Sequence, residues 1–190
     1  MNVKPGDIIV TESTGFVAWE IRRCQKRMGY APDELIGTHV AVAVDCHGSL
    51  LEATGSGIDT GALSHYKNKG IKYHVLRNKA PMPKNVVEIA FQTAYEIDNK
   101  NAEKGEMKDY DYKLIAGLFF LSLGLKVKLS KWNNLSNNIC SEFAIEFFNA
   151  CKIITPKQDK IYWPAEFLRW KNEGFFKEIK QTTATTEQSG

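Results

Sequence analysis

Gly37-Thr38-His39-Val40-Ala41-Val42-Ala43-Val44 is an apolar, β-branched run that breaks at Asp45-Cys46-His47-Gly48 and resumes as Ser49-Leu50-Leu51-Glu52-Ala53. Branched side chains favour a pleated surface, and Asp and Gly supply turn chemistry, so the stretch predicts a β-hairpin. Upstream, Gly6-Asp7 turns into Ile8-Ile9-Val10, which reads as a short buried strand. Downstream, Lys72-Tyr73-His74-Val75-Leu76-Arg77 alternates well enough to be another. The first half of the chain is therefore expected to be mainly antiparallel sheet. The glycine-rich stretch 54–61 receives no element.

Helices are expected around this sheet. Ser13 or Thr14 is placed to cap one running to about Met28, with Val17, Ile21, Cys24 and Met28 on an apolar stripe and Gly29 ending it. Arg23, Lys26 and Arg27 make its outer face basic. Val86, Ile89, Ala90, Thr93, Ala94 and Ile97 recur at helical spacing from Pro83, and the pattern fades at Asp98-Asn99-Lys100. After a polar loop to about Asp109, residues from Tyr112 to about Leu125 are apolar on nearly every face, as a central core helix would be. Asn137 or Asn138 precedes Ile139-Cys140-Ser141-Glu142-Phe143, which places Cys140 in the first turn of a further helix. Ile161-Tyr162-Trp163 reads as extended or strand, and Pro164 opens a last short helix through Trp170. The expected class is α+β, an antiparallel, partly barrel-like sheet packed on helices.

The chain has 190 residues, 43% of them hydrophobic and 25% charged, which suits one domain over 1–180 with a polar, disordered tail at 181–190. The net charge of +3 comes from scattered basic residues, which argues against a nucleic-acid partner. The N-terminus lacks the pattern of a secretory signal, and the longest apolar stretch, Leu114 to Leu125, is too short to cross a bilayer. A cytoplasmic protein without stable membrane insertion is expected, its oligomeric state left open. Cys24, Cys46, Cys140 and Cys151 have no CxxC spacing, so free thiols are the default, and neither metal nor cofactor is expected. No phosphate-binding glycine motif is present.

A thiol at a helix start has help in becoming an anion, because unpaired N–H groups and the helix dipole favour negative charge there. An imidazole beside it would stabilise the thiolate and later protonate a leaving group, and His39, on the predicted hairpin, is the best partner for Cys140. His47 shares a turn with Asp45, and His65 and His74 lie near or on the next strand, all three read as structural or solvated. Asp7 is read as a turn residue. The aromatics Tyr110, Tyr112, Trp132, Tyr162 and Trp163 are candidates for a groove or, more ordinarily, for the core.

Four short motifs occur in order: Gly6-Asp7-Ile8-Ile9, Thr38-His39-Val40-Ala41-Val42, Leu51-Glu52-Ala53 and Ile139-Cys140-Ser141-Glu142-Phe143. The set resembles the permuted, NlpC-type branch of the papain-like cysteine hydrolases, the YiiX/YaeF-like group. In ordinary papain-like enzymes the cysteine helix precedes the histidine strand. Here His39 precedes Cys140, as in the permuted group. The resemblance implies a permuted papain-like fold, with Cys140 as nucleophile, His39 as base and Glu52 orienting the imidazole. Asp45 is a rival orienter, ranked lower because a turn carboxylate more often satisfies turn backbone, and a water or backbone group is a further alternative. The implied activity is a cysteine peptidase or amidase cleaving an amide or ester bond, on a small peptide of cell-wall type or a lipid amide. The alternatives are a lipid acyltransferase or thioesterase with the same residues, and a non-catalytic binding module.

Overall fold

The computed structural model describes residues 2–54, 57–103, 140–157 and 160–180. In chain order they form β1 (Ile8–Glu12), α1 (Phe16–Arg27), β2 (His39–Ala43), β3 (Ser49–Thr54), β4 (Gly57–Ala62), α2 (Leu63–Asn68), β5 (Lys72–Asn78), α3 (Val86–Glu103), α4 (Cys140–Ala150), α5 (Pro164–Asn172) and β6 (Phe176–Glu178). The class is α+β. The apolar stretch from Tyr112 to Leu125, the capping residues Asn137 and Asn138, and the tail 181–190 lie outside the described residues.

The six strands make one antiparallel sheet in the order β4-β3-β2-β1-β5-β6. Among the described residues β4 and β6 are the two ends of the ladder. β2 and β3 form the hairpin read from the sequence, with Val42 opposite Leu51 and Ala43 opposite Leu50. β4 lies where no element was expected: its glycines carry no strand signal, yet its whole length pairs with β3. β6, only three residues long, pairs with β5.

Strand alternation divides the core into two faces. On one, Ile8, Val10, Val40, Val42, Leu51, Ala53 and Leu76 pack with residues of α3, with Phe143, Phe147 and Phe148 of α4 and with Phe167 and Leu168 of α5. Each fully buried phenylalanine there contributes about 1.5–3 kcal/mol of burial. On the other, Ile9, Ala41, Ala43, Leu50 and Val75 pack with Leu63 and Tyr66 of α2.

α1 begins later than expected. Its N-cap is Gly15, with no side-chain cap, and the Ser13 hydroxyl is paired with that of Thr11 at 3.1 Å. The Ser13 N–H donates to Thr38 Oγ1 at 2.8 Å, and the Thr38 hydroxyl donates to the Thr11 carbonyl at 3.1 Å. Both bonds hold the chain entering β2, one residue before His39. The expected apolar stripe is only partly buried: Cys24 is covered, whereas Val17 and Met28 are exposed. α1 docks instead through Gln25, fully buried, whose amide donates to the Gly37 carbonyl and accepts from the Ala165 N–H, both at 3.0 Å. Gly37 itself is tightly covered from the other side, where a Cβ would stand 2.9 Å from Val10 Cγ1 and 3.2 Å from Leu168 Cδ1. α3 runs past the expected end at Ile97, through Asp98-Asn99-Lys100, to Glu103.

Candidate functional site

His39 opens β2, and Glu52 lies on the neighbouring β3. Continuing the register of Val42 with Leu51 sets Glu52 across from Ala41, so its side chain and that of His39 are diagonal neighbours on one face. His39 Nε2 and Glu52 Oε2 are 2.7 Å apart, with both side chains mostly buried. The Tyr66 hydroxyl, from α2, donates to the same Glu52 oxygen. Three polar groups from β2, β3 and α2 therefore meet on the face lined by Ala41, Ala43 and Leu50.

Cys140 approaches from the first turn of α4. That turn is anchored by Ser141, fully buried, whose hydroxyl donates to the Tyr162 carbonyl at 2.6 Å. α4 packs along β2 and β3. Cys140 is near enough to the His39 ring to act on it through charge and hydrogen bonding. Helix, strand and hairpin thus bring together Cys140, His39 and Glu52.

Electrostatics follow from this contact. Burial pushes the His39 pKa down, but the charge and hydrogen bond of Cys140, and then the hydrogen bond and charge of Glu52, outweigh it and raise the value from 6.5 to about 10. Burial alone would raise the Glu52 carboxyl, yet the donors from His39 and Tyr66 and the charge on His39 hold it below its ordinary range. The Tyr66 hydroxyl is pushed well above its ordinary value by burial, by Glu52 and by Cys140, so it stays a donor. The arrangement thus gathers a thiol, an imidazole held charged and a carboxylate in one cluster.

The other candidates lie apart. Asp45 accepts from the N–H groups of His47, Gly48 and Ser49 at 2.7–2.9 Å and from the Ser49 hydroxyl at 2.5 Å. These bonds, the Ser49 pair first, hold its pKa near about 2, and they engage Asp45 in its own turn rather than with His39. His47 and His65 are exposed. His74 lies between Glu12 at 2.9 Å and Glu178 at 2.7 Å. Asp7, buried, receives Arg77 through both carboxylate oxygens. Cys24 and Cys151 are buried thiols raised to about 11, chiefly by desolvation, and Cys46 is exposed. Tyr162 and Trp163 belong to the core, while Tyr110, Tyr112 and Trp132 lie outside the described residues.

Sequence reasoning missed Tyr66 and Gly61. Gly61 lies on β4 beneath the carboxylate, where a Cβ would overlap Glu52 Oε1. Tyr66 gave no signal because α2 is a six-residue helix without a side-chain cap. Gly61 was hidden because a glycine-rich stretch carries no strand periodicity.

These features define an α+β protein with a six-stranded antiparallel sheet and a Cys-His-Glu cluster at one hairpin and one helix start. Against known structures, the fold is similar to that of metalloprotein yiiX from Escherichia coli O157:H7 (DUF1105), with a TM-score of 0.55 at 15% identity over 95% of this chain and 98% of that one. No protein-family profile matches the chain, and no curated protein does. Among the described residues no helix is long and apolar enough to cross a membrane.

Proposed function

We propose that the chain is a cysteine hydrolase that cleaves an amide or ester bond through an acyl-enzyme on Cys140. The observation that carries this reading is the shared imidazole: His39 Nε2 lies 2.7 Å from Glu52, and Cys140 acts on the same ring through its charge and hydrogen bonding. That is the nucleophile–base–orienter geometry of acyl transfer. The order His39, Glu52, Cys140 and the yiiX-like fold agree with a permuted papain-like enzyme.

In this mechanism the Cys140 thiolate attacks the carbonyl carbon, and the carbonyl π electrons move onto oxygen. The N-terminal end of α4, where the helix dipole favours negative charge, lies beside that oxyanion in this reading. His39 imidazolium gives its proton to the leaving amine or alkoxide as the bond to carbon breaks, leaving a thioester. Neutral His39 then takes a proton from water, the hydroxyl adds to the acyl carbon, and the Cys140 sulfur departs as thiolate. Glu52 holds the ring and balances its charge in the protonated stages. The substrate class is a small peptide, amide or lipid amide.

The yiiX neighbour is described as a metalloprotein. Among the described residues no three His, Cys, Asp or Glu side chains converge as a metal-binding group. His39 Nε2 is engaged by Glu52 at hydrogen-bond distance. The described residues do not fit a resident metal at this site.

The test is labelling by an acyl-directed electrophile near neutral pH. Wild type is expected to label at Cys140, Cys140→Ala not at all, and His39→Ala about a hundredfold more slowly. Undiminished labelling of Cys140→Ala would falsify the assignment. Peptide and lipid acyl probes, compared for trapping on Cys140, separate an amidase from a lipid acyltransferase or thioesterase. A pure binding module predicts that Cys140 reacts no faster than Cys46.

A further inference from the structure

Glu52 is a poor orienter by itself. It has three side-chain torsions, and one hydrogen bond to His39 would leave the carboxylate free to swing about that contact. Two features remove this freedom. The Tyr66 hydroxyl donates to the same oxygen that receives His39, so Oε2 is held from two directions. The other oxygen, Oε1, lies over Gly61, in the space that any larger residue would fill with its Cβ.

Tyr66 is itself well anchored. The Leu63 N–H, at the start of α2, donates to the Gly48 carbonyl of the β2–β3 turn at 2.8 Å. The Ile71 N–H donates to the Tyr66 carbonyl at 2.9 Å, tying the end of the helix back toward β5. Leu63 and Tyr66 are both buried against Ala41, Ala43 and Leu50. A phenol fixed in this way presents its hydroxyl at one place, whereas a solvated group would not. Gly61 is a strand residue opposite Leu50, and it is not among the glycines with positive φ. An alanine there meets no backbone strain, and its cost falls on the carboxylate.

From this geometry we infer that Tyr66 and Gly61 are positioning residues of the reactive centre: the phenol and the missing side chain together hold Glu52 in the one orientation that serves His39. The inference rests on the Cys140–His39–Glu52 reading and extends it to a five-residue unit in which only Cys140 and His39 meet the reacting atoms. Its chemical consequence concerns charge. A carboxylate with two donors on one oxygen resists protonation, so it stays available to the imidazolium into mildly acidic conditions. Losing the phenol leaves Oε2 with one donor, and Glu52 then protonates at higher pH.

The test needs no substrate. Alkylation of Cys140 by iodoacetamide is followed by mass spectrometry from pH 4 to 10 in Cys46→Ser protein, and in the same background carrying Tyr66→Phe or Gly61→Ala. Tyr66→Phe is expected to move the acid limb of the rate profile upward by about one pH unit, which is about tenfold in rate below the limb. Gly61→Ala is expected to slow alkylation about tenfold across the neutral plateau, because the displaced carboxylate no longer orients the ring. Thermal midpoints should fall by no more than about 4 °C, so the changes cannot be attributed to unfolding. A merely structural tyrosine would lower the midpoint and leave the limb in place. If fast alkylation in the parent protein is matched by both variants at every pH, the positioning role is wrong while the nucleophile assignment stands. If Cys140 in the parent reacts no faster than the buried Cys24 and Cys151, the assignment of the nucleophile itself fails.

Discussion

His39 is subject to opposed influences, and their balance sets its charge. Burial disfavours the imidazolium, while Cys140 and Glu52 favour it and prevail, raising the pKa to about 10. Because the folded value lies above the ordinary 6.5, the charged ring stabilises the fold in full below that pH. The stabilisation fades as pH climbs to about 10. Of the raising influences Cys140 is the larger, so Cys140→Ala should lower the His39 titration midpoint by more than about one unit, observed by NMR of the ring nitrogens. A midpoint that stays near 10 in Cys140→Ala would mean that the thiol is not the ring's partner. Asp7 makes a second residue-scale case. It is buried beneath Arg77, with both carboxylate oxygens engaged at 2.7–2.8 Å, and its neighbour Gly6 donates to the Ala43 carbonyl. Asp7→Ala removes the carboxylate from the guanidinium, which keeps the Asn2 carbonyl, and takes the acceptor from the Lys4 N–H at the start of β1, and should cost about 3 kcal/mol by urea unfolding.

At the scale of elements, Gln25 joins three pieces that carry no sequence relation to one another. Its amide bridges α1, the Gly37 carbonyl leading into β2 and the Ala165 N–H in the first turn of α5. Gln25→Leu keeps the volume but leaves both backbone groups buried without a partner, so a loss of about 3 kcal/mol is expected in urea. A smaller loss, under about 1 kcal/mol, would mean that water reaches those groups. Such a residue is invisible to periodicity, since a buried glutamine in a basic helix looks like one more solvated side chain. Elements whose local pattern and tertiary role coincide were legible. The β2–β3 hairpin has strand periodicity and turn residues, and α4 has apolar spacing suited to its buried phenylalanines. β4 was not legible, because its pairing with β3 is a property of the partner and not of its glycines. β6 is too short to carry a period, and Phe176 alone of its residues is buried. The location of the candidate site divides in the same way. Cys140, His39 and Glu52 were named from helix-start, strand and motif context, whereas Tyr66 and Gly61 emerge only when α2 and β4 fold over the hairpin.

At the scale of the whole molecule, the reactive cluster and an aromatic cluster among the described residues occupy different parts of one sheet. Phe176 on β6 packs against Phe148, Phe167 and Trp170, with ring centroids 5.6–6.3 Å apart, and so joins the end of α4, α5 and the β6 edge. The cluster is centred on β2 and β3, and β5 and β1 lie between β6 and β2. At strand spacing that separation is about 14 Å. Phe176→Ala should therefore cost about 4 kcal/mol of stability, through lost burial and the cavity left among the three rings. In buffer without denaturant the folded fraction remains high, and the alkylation rate of Cys140 at pH 7 should stay within about twofold of wild type, since no bond to Cys140, His39 or Glu52 is touched. Raising urea should then abolish the rate difference between Cys140 and Cys151 at a lower concentration in the variant, in step with its unfolding midpoint. A Cys140 rate that drops about tenfold in buffer, with the protein still folded by circular dichroism, would mean that the aromatic layer and the first turn of α4 move together.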